Sequence, residues 1–192
     1  MKRIPLVCIV AALAFVTGSC GGNSTLDDSP SSVVLTVEIE EYAPNINICS
    51  QLQGDVTISK MNLMSNPKNP DAVVSTNMDV NISRWVVTPY RTDGGTLASP
   101  EWVVDQGVFV PAEGEAQLEN WKVYPLEFFF EEPLSYLLGS PGVDPETDQV
   151  IIRQSLQLQM FGRTVGGKAV STEPVPIAFA FFCGDSGDDS GR

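Results

Sequence analysis

The stretch VIIRQSLQLQMFGRTVGGKAVSTEPVPIAFAFFC, residues 150–183, decides the fold. Its first half alternates apolar and polar side chains over residues 155–160, which is the two-residue period of a strand with one buried face. The pair Gly166-Gly167 follows, and glycine takes a positive φ at little cost, which suits a hairpin turn. The stretch therefore predicts two strands joined by a tight turn.

The return strand of this hairpin predicts one apolar face. Successive side chains alternate across a strand, so one face carries Val175, Ile177, Phe179, Phe181 and Cys183. We expect that face to be the core and Cys183 to be a buried half-cystine. Pro174 and Pro176 each remove a hydrogen-bond donor, which predicts that part of the strand lies at a sheet edge.

Further strands are predicted upstream, at residues 33–40, 55–63, 78–90, 101–110 and 118–130. One face of the first is charged, which predicts an edge position, and residues 43–52 are expected to be a loop or short strand. In the third, the apolar face switches near Arg84, which indicates a β-bulge or a strand buried on both sides. Residues 133–138 predict one helical turn. Seven short strands with Gly and Pro turns predict an all-β, antiparallel immunoglobulin-like sandwich, with a small β-barrel as the alternative.

The N-terminus has the pattern of an export signal. A basic start precedes an apolar run over residues 6–16, which is too short to span a bilayer. Thr17-Gly18-Ser19-Cys20 resembles the bacterial lipobox, with Thr17 in place of the usual aliphatic residue. The resemblance implies that Cys20 carries diacylglycerol with palmitate-like chains, and Gly21 after it implies the outer membrane. An ordinary secretory signal and an uncleaved anchor remain open.

These patterns divide the chain into four parts. Residues 1–19 are predicted to be the signal peptide, and residues 20–32 the lipidated cysteine and a flexible tether. Residues 33–183 form the sandwich domain, and residues 184–192 an acidic disordered tail.

The cysteines predict one disulfide. Cys8 leaves with the signal peptide and Cys20 takes lipid, so only Cys49 and Cys183 remain in an oxidising compartment. Two free buried thiols are the alternative.

Charge and composition exclude several classes of function. The chain has 24 Asp and Glu against 11 Lys and Arg, which argues against nucleic acid as a partner. It has no His, so catalytic triads built on His and His-ligated metal sites are excluded. We expect no catalytic residue and no cofactor.

Two groups of carboxylates are candidate sites. Asp144, Glu146 and Asp148 alternate in a Pro- and Gly-containing loop and are weak calcium candidates, because they lack the glycine and the distal Glu of an EF-hand loop. Glu131 and Glu132 are adjacent, and adjacent residues on a strand point to opposite faces, so they are not expected to converge as a hydrolytic pair.

Aromatic residues offer a binding surface. On a strand, the runs 128–130 and 181–182 would place a ring on each face. These rings can simply pack in the core. Alternatively, they form an exposed apolar patch that binds a protein or glycan partner. The patch could include Trp85, Trp102, Trp121 and Tyr90.

Residues 80–96 and 156–182 resemble bacterial lipoproteins of uncharacterised function with an immunoglobulin-like sandwich. The resemblance implies the fold and no catalytic residue. We therefore expect a non-catalytic, lipid-anchored envelope protein, held to the membrane through Cys20, with a binding, adhesion or assembly role. The alternative is a carbohydrate-active or calcium-dependent enzyme accessory that uses carboxylates.

Overall fold

The computed structural model describes residues 31–50 and 54–184. Almost all regular structure in these residues is β-strand, and the strands form two facing sheets that do not close into a barrel. The strands are β1 (Val33–Tyr42), β2 (Asn45–Asn47), β3 (Val56–Pro67), β4 (Val80–Arg91), β5 (Trp102–Val104), β6 (Val108–Val110), β7 (Gly114–Tyr124), β8 (Ile151–Thr164), β9 (Ala169–Ser171) and β10 (Val175–Phe182).

The smaller sheet has the order β1-β3-β7, and the larger has the order β2-β10-β8-β4-β5. Strand β6 also pairs with β4, and β9 also pairs with β8. All pairs are antiparallel except β2 with β10, which is parallel. This division of the strands between two sheets is that of an immunoglobulin-like sandwich.

All seven predicted strands are present, and one of them is divided. The predicted strand 101–110 forms β5 and β6, separated at residues 105–107. The predicted return strand is β10, and the short strand β9, which was not predicted, also pairs with β8. Gly167 takes a φ of +86° in the turn before β9, as the glycine pair predicts.

The two predicted edge positions, in the first and last strands, are confirmed. Strand β1 is an edge of the smaller sheet. Strand β2 pairs with β10 only over Ala180 to Phe182, so the part of β10 that holds Pro176 is paired on one side.

The segment 126–130 was predicted to be the end of a strand, and that prediction is wrong. Strand β7 ends at Tyr124, and Leu126–Phe130 is a 3₁₀ helix. Pro125 lies between them, and a proline has no N–H to continue the ladder. The short helices Thr76–Met78 and Ser135–Leu138 complete the described elements, and the second is the predicted helical turn. Among residues 31–50 and 54–184, no helix is long and apolar enough to cross a membrane.

The core lies between the sheets. The largest fully buried side chains come from both sheets and from the segments that close one end, and they include Trp85, Tyr124, Phe129, Phe181, Met61 and Leu137. Burying each such side chain contributes roughly 2–3 kcal/mol of transfer free energy.

The predicted disulfide is present. Cys49 and Cys183 are bonded, with their Cα atoms 5.1 Å apart and 134 residues apart in sequence. Cys183 packs against the core but is only half-buried, and Cys49 is exposed. The expectation of a buried half-cystine is therefore wrong in degree, because β10 ends at Phe182 and Cys183 lies beyond the last paired residue.

Two residues next to the predicted bounds of the domain, Ser31 and Gly184, form hydrogen bonds with it. Ser31 is buried, and its Oγ accepts a hydrogen bond from the Val33 N–H. The Gly184 carbonyl accepts one from Asn47 Nδ2. These residues were assigned to the tether and the tail. The signal peptide, Cys20, most of the tether and residues 185–192 lie outside the described residues.

Candidate functional site

All three tryptophans of the chain converge on one cavity between the sheets. Trp85 and Trp102 come from neighbouring strands of the larger sheet, and Trp121 comes from β7 of the smaller sheet. The Trp85 and Trp121 rings are in contact, with their centroids 4.0 Å apart and their planes tilted by 30°. The cavity measures about 210 Å³, and we call it the tryptophan pocket. Val104, Lys122 and Leu158 complete its main walls.

Two local changes in strand alternation aim these two rings inward. In β4, Val80, Ile82, Trp85 and Val87 are all buried. They share one face because the pairing with β8 is shifted between Ile82 and Arg84. The predicted bulge is therefore present, and it brings Trp85 to the core face.

The second change is in the smaller sheet. Two consecutive residues face outward at the same level of each strand: Glu40 and Glu41, Ser59 and Lys60, and Glu119 and Asn120. Asn120 takes a φ of +51°, a conformation that asparagine adopts more readily than most residues. Trp121 then points inward beside Trp85. Irregularities of this kind are common beside functional sites.

Two polar groups at the pocket, the Trp85 indole N–H and the Lys122 ammonium, have partners that hold them in place. Trp85 Nε1 donates a hydrogen bond to the Gln106 carbonyl at 3.0 Å. At the rim, Lys122 Nζ lies 2.7 Å from Asp55 Oδ2 and 5.7 Å from the centre of the Trp102 ring. Burial raises the pKa of the Asp55 carboxyl, but the hydrogen bonds from Lys122 and from the Leu126 N–H outweigh it and hold that pKa below its usual value.

The size and chemistry of the pocket define what it can hold. Ligand sites for drug-sized molecules usually measure about 300–1,000 Å³, so the tryptophan pocket is large enough for one ring or one side chain. Its walls are mainly aromatic and aliphatic. The pocket can therefore bind a single apolar or aromatic group by stacking and burial.

Unpaired strand edges lie on both sides of the pocket. In the described part of the chain, β5 ends the larger sheet and β7 ends the smaller one. Each edge presents backbone donors and acceptors on its outer side, to which an extended peptide can add as a strand.

The structure assigns two of the three calcium candidates to a different role. Arg91 is buried, and its guanidinium donates to Asp93 Oδ1 at 2.8 Å and to Asp144 Oδ2 at 2.6 Å. Glu146 lies 3.7 Å from the same guanidinium and accepts hydrogen bonds from the Thr96 and Leu97 N–H groups. We call Arg91, Asp93, Asp144 and Glu146 the arginine cluster. It joins the loop after β4 to the loop before β8.

These ion pairs keep the carboxylates ionised. Burial raises the pKa of Asp144, but hydrogen bonds from Arg91, Thr147 and the Glu146 N–H hold it below its usual value. Burial likewise raises the pKa of Asp93, and its hydrogen bonds from Arg91 and two backbone N–H groups lower it further than burial raises it. A general acid needs a raised pKa, so the cluster has the electrostatics of a structural ion pair.

The other acidic candidates do not converge. Asp148 is exposed at the end of the same loop, with a φ of +56°. Among residues 31–50 and 54–184, no three Asp, Glu, Cys or His side chains are placed to hold a metal ion. Glu131 and Glu132 are exposed just after the 3₁₀ helix. They do not belong to a strand, whereas the sequence analysis assumed that they do.

The remaining aromatic candidates are dispersed. Tyr90 lies on the outer face of β4 and Phe130 is exposed beside the 3₁₀ helix, whereas Phe129 and Phe181 pack in the core. The sequence analysis included the three tryptophans in a possible apolar patch, but no sequence pattern predicted that they would converge on one cavity. Asn120 was missed, although an asparagine between Glu119 and Trp121 in a strand is a possible mark of positive φ.

No family model, curated protein or solved structure matches this chain.

Proposed function

We propose that this protein is a non-catalytic binding module, anchored to the cell envelope by lipid on Cys20, whose tryptophan pocket receives one apolar or aromatic side chain of a partner protein. The observation that carries the proposal is the convergence of Trp85, Trp102 and Trp121 on one cavity from three strands. Binding energy at protein interfaces is concentrated in a few anchor residues that fill such pockets.

A protein partner is favoured by the surroundings of the pocket. The cavity is too small for most whole ligands but accommodates one side chain. The edges of β5 and β7 beside it can pair with an extended segment that carries this side chain.

The absence of catalysis in the proposal is supported by the state of the carboxylates. The described cavities contain at most one carboxylate each, and the one beside Arg84, Asp105, is bonded to that guanidinium. The buried carboxylates Asp93 and Asp144 are paired with Arg91. The chain has no His to activate a nucleophile.

The pocket is tested by filling it. We expect N-acetyl-phenylalaninamide to quench the tryptophan fluorescence of the protein with a millimolar-range Kd, as fits a single anchor group. Val104→Phe places a ring inside the cavity and should abolish the quenching. Val103→Phe is the matched control, because Val103 is the next residue and is 48% exposed. Equal quenching in both variants would show that the probe binds elsewhere.

A glycan partner is the second candidate, because tryptophan side chains also stack on sugar rings. The same titration with methyl β-glucoside distinguishes the two. Quenching by the glucoside alone, lost in Val104→Phe, would assign the pocket to a carbohydrate-binding accessory.

The anchor is tested separately. Cys20→Ala should release the protein from membranes into the soluble envelope fraction. The variant lacks the acyl chains, and each CH₂ group that they bury in the bilayer contributes about 0.8 kcal/mol to membrane binding. Retention of the variant in the membrane fraction would contradict the lipid anchor and leave the pocket proposal unaffected.

A further inference from the structure

An open groove lies on the outer face of the larger sheet, on the side that faces away from the tryptophan pocket. It measures about 370 Å³, and it is lined by Thr88, Tyr90, Gln157, Gln159 and Pro174. This volume is within the usual range of about 300–1,000 Å³ for small-molecule sites. We call it the outer-face groove.

Two central strands of the sheet position the lining residues. Strands β4 and β8 are neighbours, and each also pairs on its other side, with β5 and β10 respectively. Thr88 is the direct partner of Gln157, and Tyr90 lies two residues further along β4. Directly opposed Cβ atoms lie about 5 Å apart, and two residues of a strand span about 7 Å. The lining groups are therefore held on a rigid platform that is roughly the size of one sugar ring.

Tyr90 presents an aromatic ring to solvent at one end of this platform. Its side chain is 54% exposed, although β4 is not an edge strand. Its direct partner on β8 is Ser155, and the partner of Ser155 on β10 is Ala178. These two side chains are too short to cover the ring, so the ring is accessible for stacking.

Two glutamine amides are oriented by hydrogen bonds at the sides of the groove. Gln159 Nε2 donates to the Thr172 carbonyl at 3.1 Å, and Gln157 Nε2 donates to Ser155 Oγ at 3.2 Å. Each amide keeps its carbonyl oxygen as an acceptor. The two oxygens can therefore accept hydrogen bonds from the hydroxyl groups of a ligand without reorganisation of the amides.

The outer-face groove is uncharged, although the protein has a net charge of −13. The carboxylate of Glu101 lies beside it and accepts a hydrogen bond from Thr88 Oγ1 at 3.1 Å. The outer face of the smaller sheet, by contrast, carries exposed charges such as Glu38 and Glu119. An acidic protein repels anions, and no lining residue offers a charge to a cation. These features favour a neutral, hydroxyl-rich ligand.

We propose that the outer-face groove binds a neutral glycan, with one β-linked, glucose-type ring stacked on Tyr90. The hydroxyl groups of such a ring are equatorial. Its faces therefore offer C–H groups to the aromatic ring, and its edge offers hydroxyl groups to Gln157 and Gln159. This site is separate from the tryptophan pocket and does not rest on the function proposed for it.

The test titrates the full-length protein with cellobiose, a neutral β-linked disaccharide, in a detergent that has no sugar headgroup. Saturation-transfer difference NMR reports which protons of the sugar approach the protein. We expect saturable binding with a millimolar-range Kd and the strongest transfer to the C–H protons on one face of a ring. Digalacturonate, a disaccharide with two negative charges, should bind at least fivefold more weakly.

Side-chain variants locate the sugar. Tyr90→Ala should weaken the binding of cellobiose about tenfold and Gln157→Ala about fivefold, because each removes one contact. Tyr90→Phe keeps the ring and should bind within about threefold of the wild type. Phe109→Ala is the matched control, because Phe109 is 53% exposed on a neighbouring strand of the same sheet but outside the groove. Its affinity should change less than twofold.

The variants should keep the melting temperature of the wild type, because their side chains lie on the outer face. No saturable binding of cellobiose, tighter binding of digalacturonate, or equal affinity in Tyr90→Ala and Phe109→Ala would overturn the proposal. Loss of cellobiose binding in Val104→Phe, with binding retained in Tyr90→Ala, would also overturn it, because the sugar would then occupy the tryptophan pocket.

Discussion

The arginine cluster predicts a large difference between two carboxylates four residues apart in one loop. Asp144 is fully buried, and it accepts hydrogen bonds from Arg91 Nη2 at 2.6 Å, from Thr147 Oγ1 at 2.7 Å and from the Glu146 N–H at 3.3 Å. Asp148 is exposed. The perturbation is Asp144→Asn, with Asp148→Asn as the matched control.

The expected loss of unfolding free energy depends on the ion pair that Arg91 retains in the variant. Removing one partner of a buried ion pair costs about 3–5 kcal/mol, because a charge is left uncompensated. Asp93 still pairs with Arg91 at 2.8 Å, so we expect the lower end, about 3 kcal/mol. Asp148→Asn should change the free energy of unfolding by less than about 0.5 kcal/mol, and asparagine suits its positive φ.

Urea denaturation, followed by circular dichroism, measures the effect. With a slope of about 2 kcal/mol per molar urea, the midpoint of Asp144→Asn should fall by roughly 1.5 M. An equal midpoint for the two variants would refute the reasoning that the buried pair holds the two loops together.

The pH dependence of the free energy of unfolding tests the same ion pairs. The pKa values of Asp144 and Asp93 are lowered in the folded protein, so both carboxylates stabilise it above their unfolded pKa of about 4. That stabilisation is lost as the pH falls through the lower folded values. The wild type should therefore lose stability below about pH 4 more steeply than Asp144→Asn.

Three further outcomes follow from the fold. Cys49→Ala/Cys183→Ala removes a bond that closes a 134-residue separation and should lower the free energy of unfolding by about 5 kcal/mol, whereas an unchanged urea midpoint would show that the bond is dispensable. Gly162→Ala places a Cβ 2.3 Å from the Asn81 oxygen and should cost about 3 kcal/mol, while Gly54→Ala, whose Cβ would have no atom of the described residues within 4 Å, should be nearly neutral; equal melting temperatures would contradict the close approach. Ser65 Oγ is buried without a hydrogen-bond partner among the described residues, so Ser65→Ala should stabilise the protein by about 1 kcal/mol, and a lower melting temperature would indicate an overlooked partner.

Local patterns were sufficient for the strands themselves. The alternation over residues 155–160 and the glycine pair after it predict β8 and its turn, because side-chain period and turn conformation depend on neighbouring residues. The disulfide could also be predicted from the sequence. With Cys8 predicted to lie in the signal peptide and Cys20 predicted to carry the lipid, only Cys49 and Cys183 are left to pair. The strand predicted through residue 130 is wrong because Pro125 has no N–H to continue the ladder after Tyr124.

The candidate sites were less accessible, because they depend on contacts between distant segments. Asp144 and Glu146 were considered as calcium ligands while their true partner, Arg91, lay 53 residues from Asp144. The sequence predicts the tryptophans as possible surface residues, whereas the structure places all three around one cavity between the sheets.

By itself, the sequence determined an all-β domain and predicted the disulfide between Cys49 and Cys183, because alternation, turn residues and cysteine positions are properties of the chain. Only the tertiary structure decided where the side chains meet. An extra residue reverses the facing of every side chain that follows it on a strand. The bulge at Ser83 and the break in alternation at Asn120 occur in strands whose partners are far away in sequence. Those two irregularities turn Trp85 and Trp121 toward each other and leave Arg84 on the opposite face.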